Sequence, residues 1–320
     1  VDNLQSADST GRERLVEALI AADKADVFAE ATVGKERGGG VAGGRRSDVS
    51  RDHAIPRPPF YGTRVLRDIP LGEVFGLLDR EELFRLQWGG RGSGDEFARL
   101  AAEEFEPTLR RLSAEVLSDP WLEPRAVYGY FPAQSEGNAL ILYDPAAYEA
   151  DGGSLREIGR FTFPRQDGRE RLCLADYFRS VDSDEVDVVA LQVVTVGAEA
   201  TRRFERWQGQ GEYSEAYFRH GLAVEAAEAV AEWTHRRIRA ELGLGPGVGK
   251  RYSWGYGACP DLDDHAVVFR LLPAAESLGM ELTSAWQLVP EQSTAALIVT
   301  HPQAKYYAVR GDGAVTVRET

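Results

Sequence analysis

The chain has 320 residues, 43% hydrophobic and 10% aromatic, enough apolar material to bury a sizeable core and to exclude global disorder. Its 37 Lys+Arg against 51 Asp+Glu give a formal net charge of -14, which repels polyanions and disfavours nucleic acid as a partner. Two cysteines, Cys173 and Cys259, cannot build a disulfide framework or a CxxC site, and no apolar run reaches the roughly eighteen residues of a membrane helix.

Residues 1–33 begin polar and then turn amphipathic. Ser9 or Thr10 can cap a helix whose Leu15, Leu19, Ile20, Val27 and Phe28 form an intermittent apolar face. Gly34–Gly44 holds six glycines in eleven residues and Arg45–Ala54 stays polar, so residues 34–54 are expected to be a flexible linker. The chain starts with Val and has no signal-type apolar segment, which points to a cytoplasmic protein and to a processed product or an excised piece of a longer polypeptide.

An ordered domain is expected over residues 55–320. Pro56, Pro58 and Pro59 forbid a helix and predict an extended arm with Phe60 and Tyr61 tucked against the body. Apolar spacing predicts a helix over 70–88, closed by Trp88-Gly89-Gly90, and a second from about Asp95 to Leu117, stopped at Asp119-Pro120. The register then changes to strands at Ala126–Pro132, Asn138–Tyr143, Ile158–Phe163 and Val186–Val196, with a hairpin turn at Asp167-Gly168 and Leu172–Phe178 after it. Glu212–Leu242 is the longest helix, with Ala223, Ala226 and Ala227 allowing close approach and Glu225 beside that surface. Asp263–Leu272 and Ala274–Leu278 read as helical. Met280–Leu288, Ala295–Thr300 and Lys305–Val309 read as strands, with a last hairpin at Gly311-Asp312-Gly313. Short connections between strands favour an antiparallel or mixed sheet, and hence one α+β domain with a twisted, mainly antiparallel sheet flanked by helices.

The stretch Arg251–Asp261, RYSWGYGACPD, concentrates the chemistry. Arg251 offers a five-donor fork suited to a carboxylate, aromatic rings can stack, and glycines let backbone come close to a ligand. A buried ion pair beside a tight turn fits the same residues. The glycine approach GLGPGVGKR lacks the spacing of a Walker loop and of GxGxxG, which argues against ATP hydrolysis and a Rossmann cofactor. Asp261, Asp263, Asp264 and His265 suit the start of a helix better than a metal site, and the five histidines show no compact ligand spacing. Cys259 and Ser293 have no placed base, so no catalytic nucleophile is expected and Cys259 reads as a packed thiol.

With these residues in view, the domain resembles the S-adenosylmethionine-binding activation domain of cobalamin-dependent methionine synthases. The resemblance runs from about Pro56 to Val309. It is carried by Arg251-Tyr252-Ser253-Trp254-Gly255-Tyr256 as an RxxxGY signature and by the following Ala258-Cys259-Pro260. FRHGLAVEAAEAVAEWTHRRIR, PEQSTAAL and HPQAKYYAV add to it. It implies a module that binds S-adenosylmethionine over a cobalamin-bearing domain and offers its methyl group when the cobalamin has oxidised, with a flavodoxin-like reductase supplying one electron.

The resemblance also implies that Arg251 grips the methionine carboxylate. Tyr252, Gly255, Tyr256, Gly257, Ala258 and Cys259 would shape the pocket, Tyr306 and Tyr307 would line the ligand, and Glu225 would serve its amino group. Members of the family carry an Asp just before the aromatic entry segment; here Pro56 stands there, so another acid, Glu225 or Asp52, is expected to compensate. Residues 1–33 then look like the trailing end of a cobalamin-binding domain on the same or a separate chain. The sulfonium already activates the methyl group, so the absence of a catalytic triad agrees with the resemblance. A corrinoid-independent methyltransferase and a docking scaffold with a degenerate pocket are the alternatives.

Overall fold

The computed structural model describes residues 46–150, 153–167, 169–307 and 309. The helix expected within residues 1–33, the glycine run, the Gly168 corner and the hairpin at 311–313 lie outside the described residues.

A seven-stranded antiparallel sheet forms the middle of the domain. Its strands are β1 (Gly62–Leu66), β2 (Arg125–Glu136), β3 (Ala139–Tyr143), β4 (Glu157–Thr162), β5 (Asp187–Thr195), β6 (Lys250–Ser253) and a C-terminal strand at Ser293–Val299, β9; a two-stranded ribbon of β7 (Glu281–Leu282) and β8 (Leu288–Val289) precedes it. The order is β4-β3-β2-β5-β9-β6, and β1 pairs with the first half of β2 on the edge whose second half pairs with β3. Every register is antiparallel. β2 and β3 are joined through Gly137-Asn138, with Glu136 opposite Ala139 and Gly137 at φ +61°, a conformation glycine enters without steric cost.

Alternation along the strands divides the interior. Val127, Phe131, Val189, Leu191, Val193, Ala295 and Leu297 share one core with Leu174, Tyr177, Phe178, Val268 and Leu272. The opposite set, including Ala126, Tyr128, Tyr130, Val188, Ala190, Val194 and Ile298, faces the helices. Those helices are α1 (Leu71–Phe75), α2 (Arg80–Glu82) running into a π turn at Leu83–Gln87, and α3 (Asp95–Leu100), which passes through a second π turn at Ala101–Phe105 into α4 (Glu106–Ser118). After α5 (Pro145–Ala150) come α6 (Ala198–Gly209) and the 29-residue α7 (Tyr213–Glu241). α7 buries Leu222, Ala223, Ala226, Ala227 and Val230, the small residues setting its close approach to the sheet. Gly221 sits against Trp88, where an added Cβ would come within 2.7 Å of the indole. The second layer is α8 (Asp264–Leu271), α9 (Ala274–Leu278), whose C-cap Gly279 is left-handed, and a 3-10 turn at Leu174–Tyr177.

Several expectations change. The helix over 70–88 breaks at Gly76–Leu78, because Asp79 caps a new helix by accepting the Glu82 N–H at 2.9 Å. Leu172–Phe178 is a loop and 3-10 turn rather than a strand, and Lys305–Tyr307 runs without strand pairing beside β6. Met280–Leu288 contains only two-residue strands. Residues 46–54, assigned to a free linker, pack as an extended strap: Arg46 donates to the Asp176 and Phe178 carbonyls at 2.5 and 2.8 Å, and Val49 lies against the first core. The extended arm keeps its expected role, with Phe60 edge-on to Tyr128 and Tyr130 at 6.0 and 5.0 Å. Among the described residues no helix is long and apolar enough to cross a membrane.

Candidate functional site

β6 is the outermost strand of its side of the sheet and pairs only with β9. Its register puts Arg251 opposite Ile298, on the face that meets α7, while Tyr252 turns into the other core. Arg251 Nη2 donates to Glu228 Oε2 at 3.0 Å. Its Nη1 is buried and has no protein partner. The guanidinium is thus half engaged, with Nη1 held out of water and unpartnered, an arrangement that favours an incoming anion.

Acids surround it. One turn before Glu228 on α7, Glu225 is buried and accepts the Asp79 N–H at 3.1 Å. Burial pushes the Glu225 carboxyl up to about 8; the charges of Glu82, Glu228 and Asp79 add to this, and the Asp79 N–H opposes it. Glu82 is also raised, by burial and by Asp79 and Glu228, against the pull of Arg251. The break that ended the first predicted helix therefore brings the start of α2 to the cleft. The Tyr256 ring stands open at the rim, 61% exposed, and its hydroxyl is pushed up by burial with Glu228 and Glu82 adding and Arg251 opposing.

The turn after β6 is closed by its own backbone. Gly255 donates to the Cys259 carbonyl and Cys259 to the Tyr256 carbonyl, both at 2.9 Å, so these two amides are committed inside the turn. Gly255 has φ +92°, which a side chain would strain, and a Cβ there would meet Leu262 at 3.2 Å. Cys259 Sγ donates to the Ser253 carbonyl at 2.9 Å, and burial pushes its thiol far up, which leaves it an inert packing group. Asp264 accepts from Trp254 Nε1 at 3.3 Å and His265 Nδ1 meets the Trp286 carbonyl at 2.7 Å, so both belong to the packing of α8.

Of the residues expected at the site, Arg251, Glu225, Gly255, Tyr256 and Tyr306 gather at this cleft. Gly257 lies in its turn. The exposed Tyr306 ring meets the Arg251 main chain through its hydroxyl, and Lys250 Nζ lies 5.5 Å above the ring. Tyr252, Ala258 and Cys259 are buried behind the strand, and Tyr307 packs against the same core. Tyr252 donates to the Lys305 carbonyl at 2.7 Å and lies edge-on to Tyr306 at 5.4 Å, so it positions the Tyr306 segment rather than facing the cleft. Asp52, offered as a compensating acid, is exposed on the strap. Sequence reading missed Glu228, Glu82 and Asp79. Glu228 was within reach, since it lies three residues from Glu225 on one helix face. Asp79 and Glu82 show a D-x-x-E capping pattern, but nothing in the sequence places it against Arg251.

This is an α+β domain with an open, mainly antiparallel sheet and a cluster of charged residues at the sheet's edge. The family model described as "Vitamin B12 dependent methionine synthase, activation domain" matches residues 94–315. The chain belongs to that family. It is 38% identical over 292 residues to the methionine synthase of Mycobacterium tuberculosis, covering 82% of this chain and 24% of that protein. Against the methionine synthase of Mycobacterium leprae the identity is 36%, with the same coverage of 82% and 24%. The chain thus spans about a quarter of the length of these curated relatives. A solved MetH reactivation domain bound to AdoHcy shares the fold, with a TM-score of 0.71 and 24% identity over 80% of this chain and 83% of that one.

Proposed function

We propose that this domain binds S-adenosylmethionine at the Arg251 cleft and presents its methyl group to cobalamin held by a cobalamin-binding domain, on the same or a separate chain. The observation that carries this reading is the half-engaged Arg251. A buried, unpartnered Nη1 beside three carboxyl groups suits a zwitterionic α-amino acid, its carboxylate on Arg251 and its ammonium among Glu228, Glu82 and Glu225. In this reading Glu228 exchanges its Arg251 contact for the ammonium. The acid missing at Pro56 is then supplied from α7 and the start of α2.

Tyr256 and Tyr306, exposed on either side of Arg251, would flank the adenosyl group by stacking or edge contact. Gly255, Gly257 and Ala258 would shape the floor, and Tyr252, Cys259 and Tyr307 would hold it from behind. The donor supplies a methyl on a positive sulfonium. Cobalamin on the partner domain, reduced by one electron from a flavodoxin-like reductase, would supply the methyl acceptor. Loss of the methyl group would leave neutral S-adenosylhomocysteine, which this chain would then release. The protein's own part is positional, holding the methyl in line with the breaking bond. The role that follows is reactivation of methionine synthase.

The test is calorimetric titration of the chain with S-adenosylmethionine, repeated on Arg251→Ala. Saturable binding that falls in the variant supports the reading. No binding by the unaltered chain, alone or with an added cobalamin-binding domain, rejects it in favour of a docking scaffold.

A further inference from the structure

The strap at residues 46–54 is fastened to the segment that carries Tyr306 and Tyr307. Ser50 N donates to Gln303 Oε1 at 2.8 Å, and the Ser50 carbonyl takes the Nε2 proton of His301 at 2.9 Å. These are reciprocal bonds between positions some 250 residues apart in sequence. His301 Nδ1 in turn accepts the Gln303 N–H at 3.0 Å, so both ring nitrogens are used and the imidazole is neutral with its proton on Nε2. The His53 ring lies 4.2 Å from the His301 ring, and Arg179 Nη2 holds the His53 carbonyl at 3.0 Å. At the far end, Ser47 N donates to Asp176 at 3.0 Å beside the two Arg46 contacts.

Four residues beyond His301, the Lys305 carbonyl takes the Tyr252 hydroxyl and Tyr306 reaches the Arg251 main chain. Residues 301–307 are therefore pinned on one side by the strap and on the other by the ligand-bearing strand. They have no strand pairing of their own.

We propose that the strap is a latch: seated, it holds residues 301–307 so that Tyr306 closes the Arg251 cleft, and unseated, it loosens that wall and weakens ligand binding. The latch lies where the chain enters the domain, so whatever pulls on or releases residues before Arg46 is transmitted to the cleft. Its ligand arm rests on the proposed binding of S-adenosylmethionine; its structural arm does not.

The experiment uses the full chain and the double variant Arg46→Ala with Ser50→Pro, which removes the Arg46 bonds to the Asp176 and Phe178 carbonyls and the N–H given to Gln303. Both changes lie on the strap, and exchange in β5 serves as the check that the body keeps its fold. Amide exchange is expected to quicken at least tenfold over 46–54 and over 301–307, and the dissociation constant for S-adenosylmethionine to rise about fivefold. Faster exchange in the strap with none at 301–307 would overturn the latch, as would an unchanged strap. Quickened exchange in both with an unchanged dissociation constant would overturn its coupling to the cleft. If the unaltered chain binds no ligand, the functional reading fails while the exchange data still decide the latch.

Discussion

Strands β5 and β6 lie one strand apart in the same sheet and have opposite characters. All nine residues of β5 are buried, and β2 and β9 pair with it on its two sides. β6 has four residues, pairs on one side only, and turns a buried Tyr252 to one face and a half-engaged Arg251 to the other. The middle of the sheet has no room for a ligand because its side chains are buried on both faces and its main chain is paired on both sides. An edge strand leaves one side to loops and helices, and here that freedom admits a cation, three acids and two exposed rings.

Substitutions should separate the two regions, and the largest effect belongs to the middle. Leu191→Ala on β5 removes a fully buried side chain and should cost about 2–5 kcal/mol of unfolding free energy in a denaturant melt. Arg251→Ala should cost under about 1 kcal/mol in the same melt, because Glu228 is largely solvated once freed. Its binding defect should be large, roughly a hundredfold weaker for S-adenosylmethionine by calorimetry, the scale of a lost charge-assisted fork. Equal stability losses in the two variants would erase the contrast and make Arg251 a structural ion pair.

The same contrast decides what was legible in the sequence. Val186–Val196 announces itself because a run rich in β-branched and apolar residues, interrupted only at Asp187 and Gln192, suits a strand buried on both faces. The long helix α7 and the α3–α4 helix are equally plain from their spacing. β6 was invisible as a strand: four residues between a glycine-rich approach and a tight turn carry no alternation long enough to count. Arg251 was legible from its motif. Of the acids around it, Glu225 was named and Glu228 was within reach, but Glu82 and Asp79 were not, since they arrive through a helix break that local capping creates and only tertiary packing aims. The strap was misread for a related reason, because polar residues whose main chain and side chains bond to the body look the same in sequence as polar residues in water.

A smaller effect tests the acids through protons. Glu225 is raised from 4.5 to about 8 by burial, so between those pH values the folded carboxyl holds a proton that the unfolded chain has released. Stability is thus full below pH 4.5 and declines as pH rises through about 8. Glu225→Gln should remove that decline and stabilise the chain at pH 8–9 by roughly 1–3 kcal/mol. An ammonium arriving beside Glu225 favours its ionised form, so binding of S-adenosylmethionine at pH 7 should release up to about one proton, read by calorimetry in two buffers of different ionisation enthalpy. The variant should release none. Proton uptake on binding would place the ligand's positive charge elsewhere.

The smallest expected effect lies at the strap, where acid should act through His301. Burial lowers this imidazole from 6.5, with the His53 and Arg179 charges adding, against the Ser50 carbonyl and Asp187. The Tyr177 ring, 5.5 Å away, completes its surroundings. A proton can enter only at Nδ1, which already accepts the Gln303 N–H, so charging the ring also breaks that bond. Because the folded group resists protonation more than the free one, the seated strap is fully favoured above pH 6.5 and loses stability as pH falls below it. Protection factors of the Ser50 and Gln303 amides, corrected for intrinsic exchange, should fall between pH 7.5 and 5.5 while those of β5 hold. His301→Gln can still donate to Ser50 and accept from Gln303 but cannot titrate, so it should keep the strap seated and flatten the pH dependence. A pH dependence that survives in this variant would show that His301 is not the acid-sensitive group.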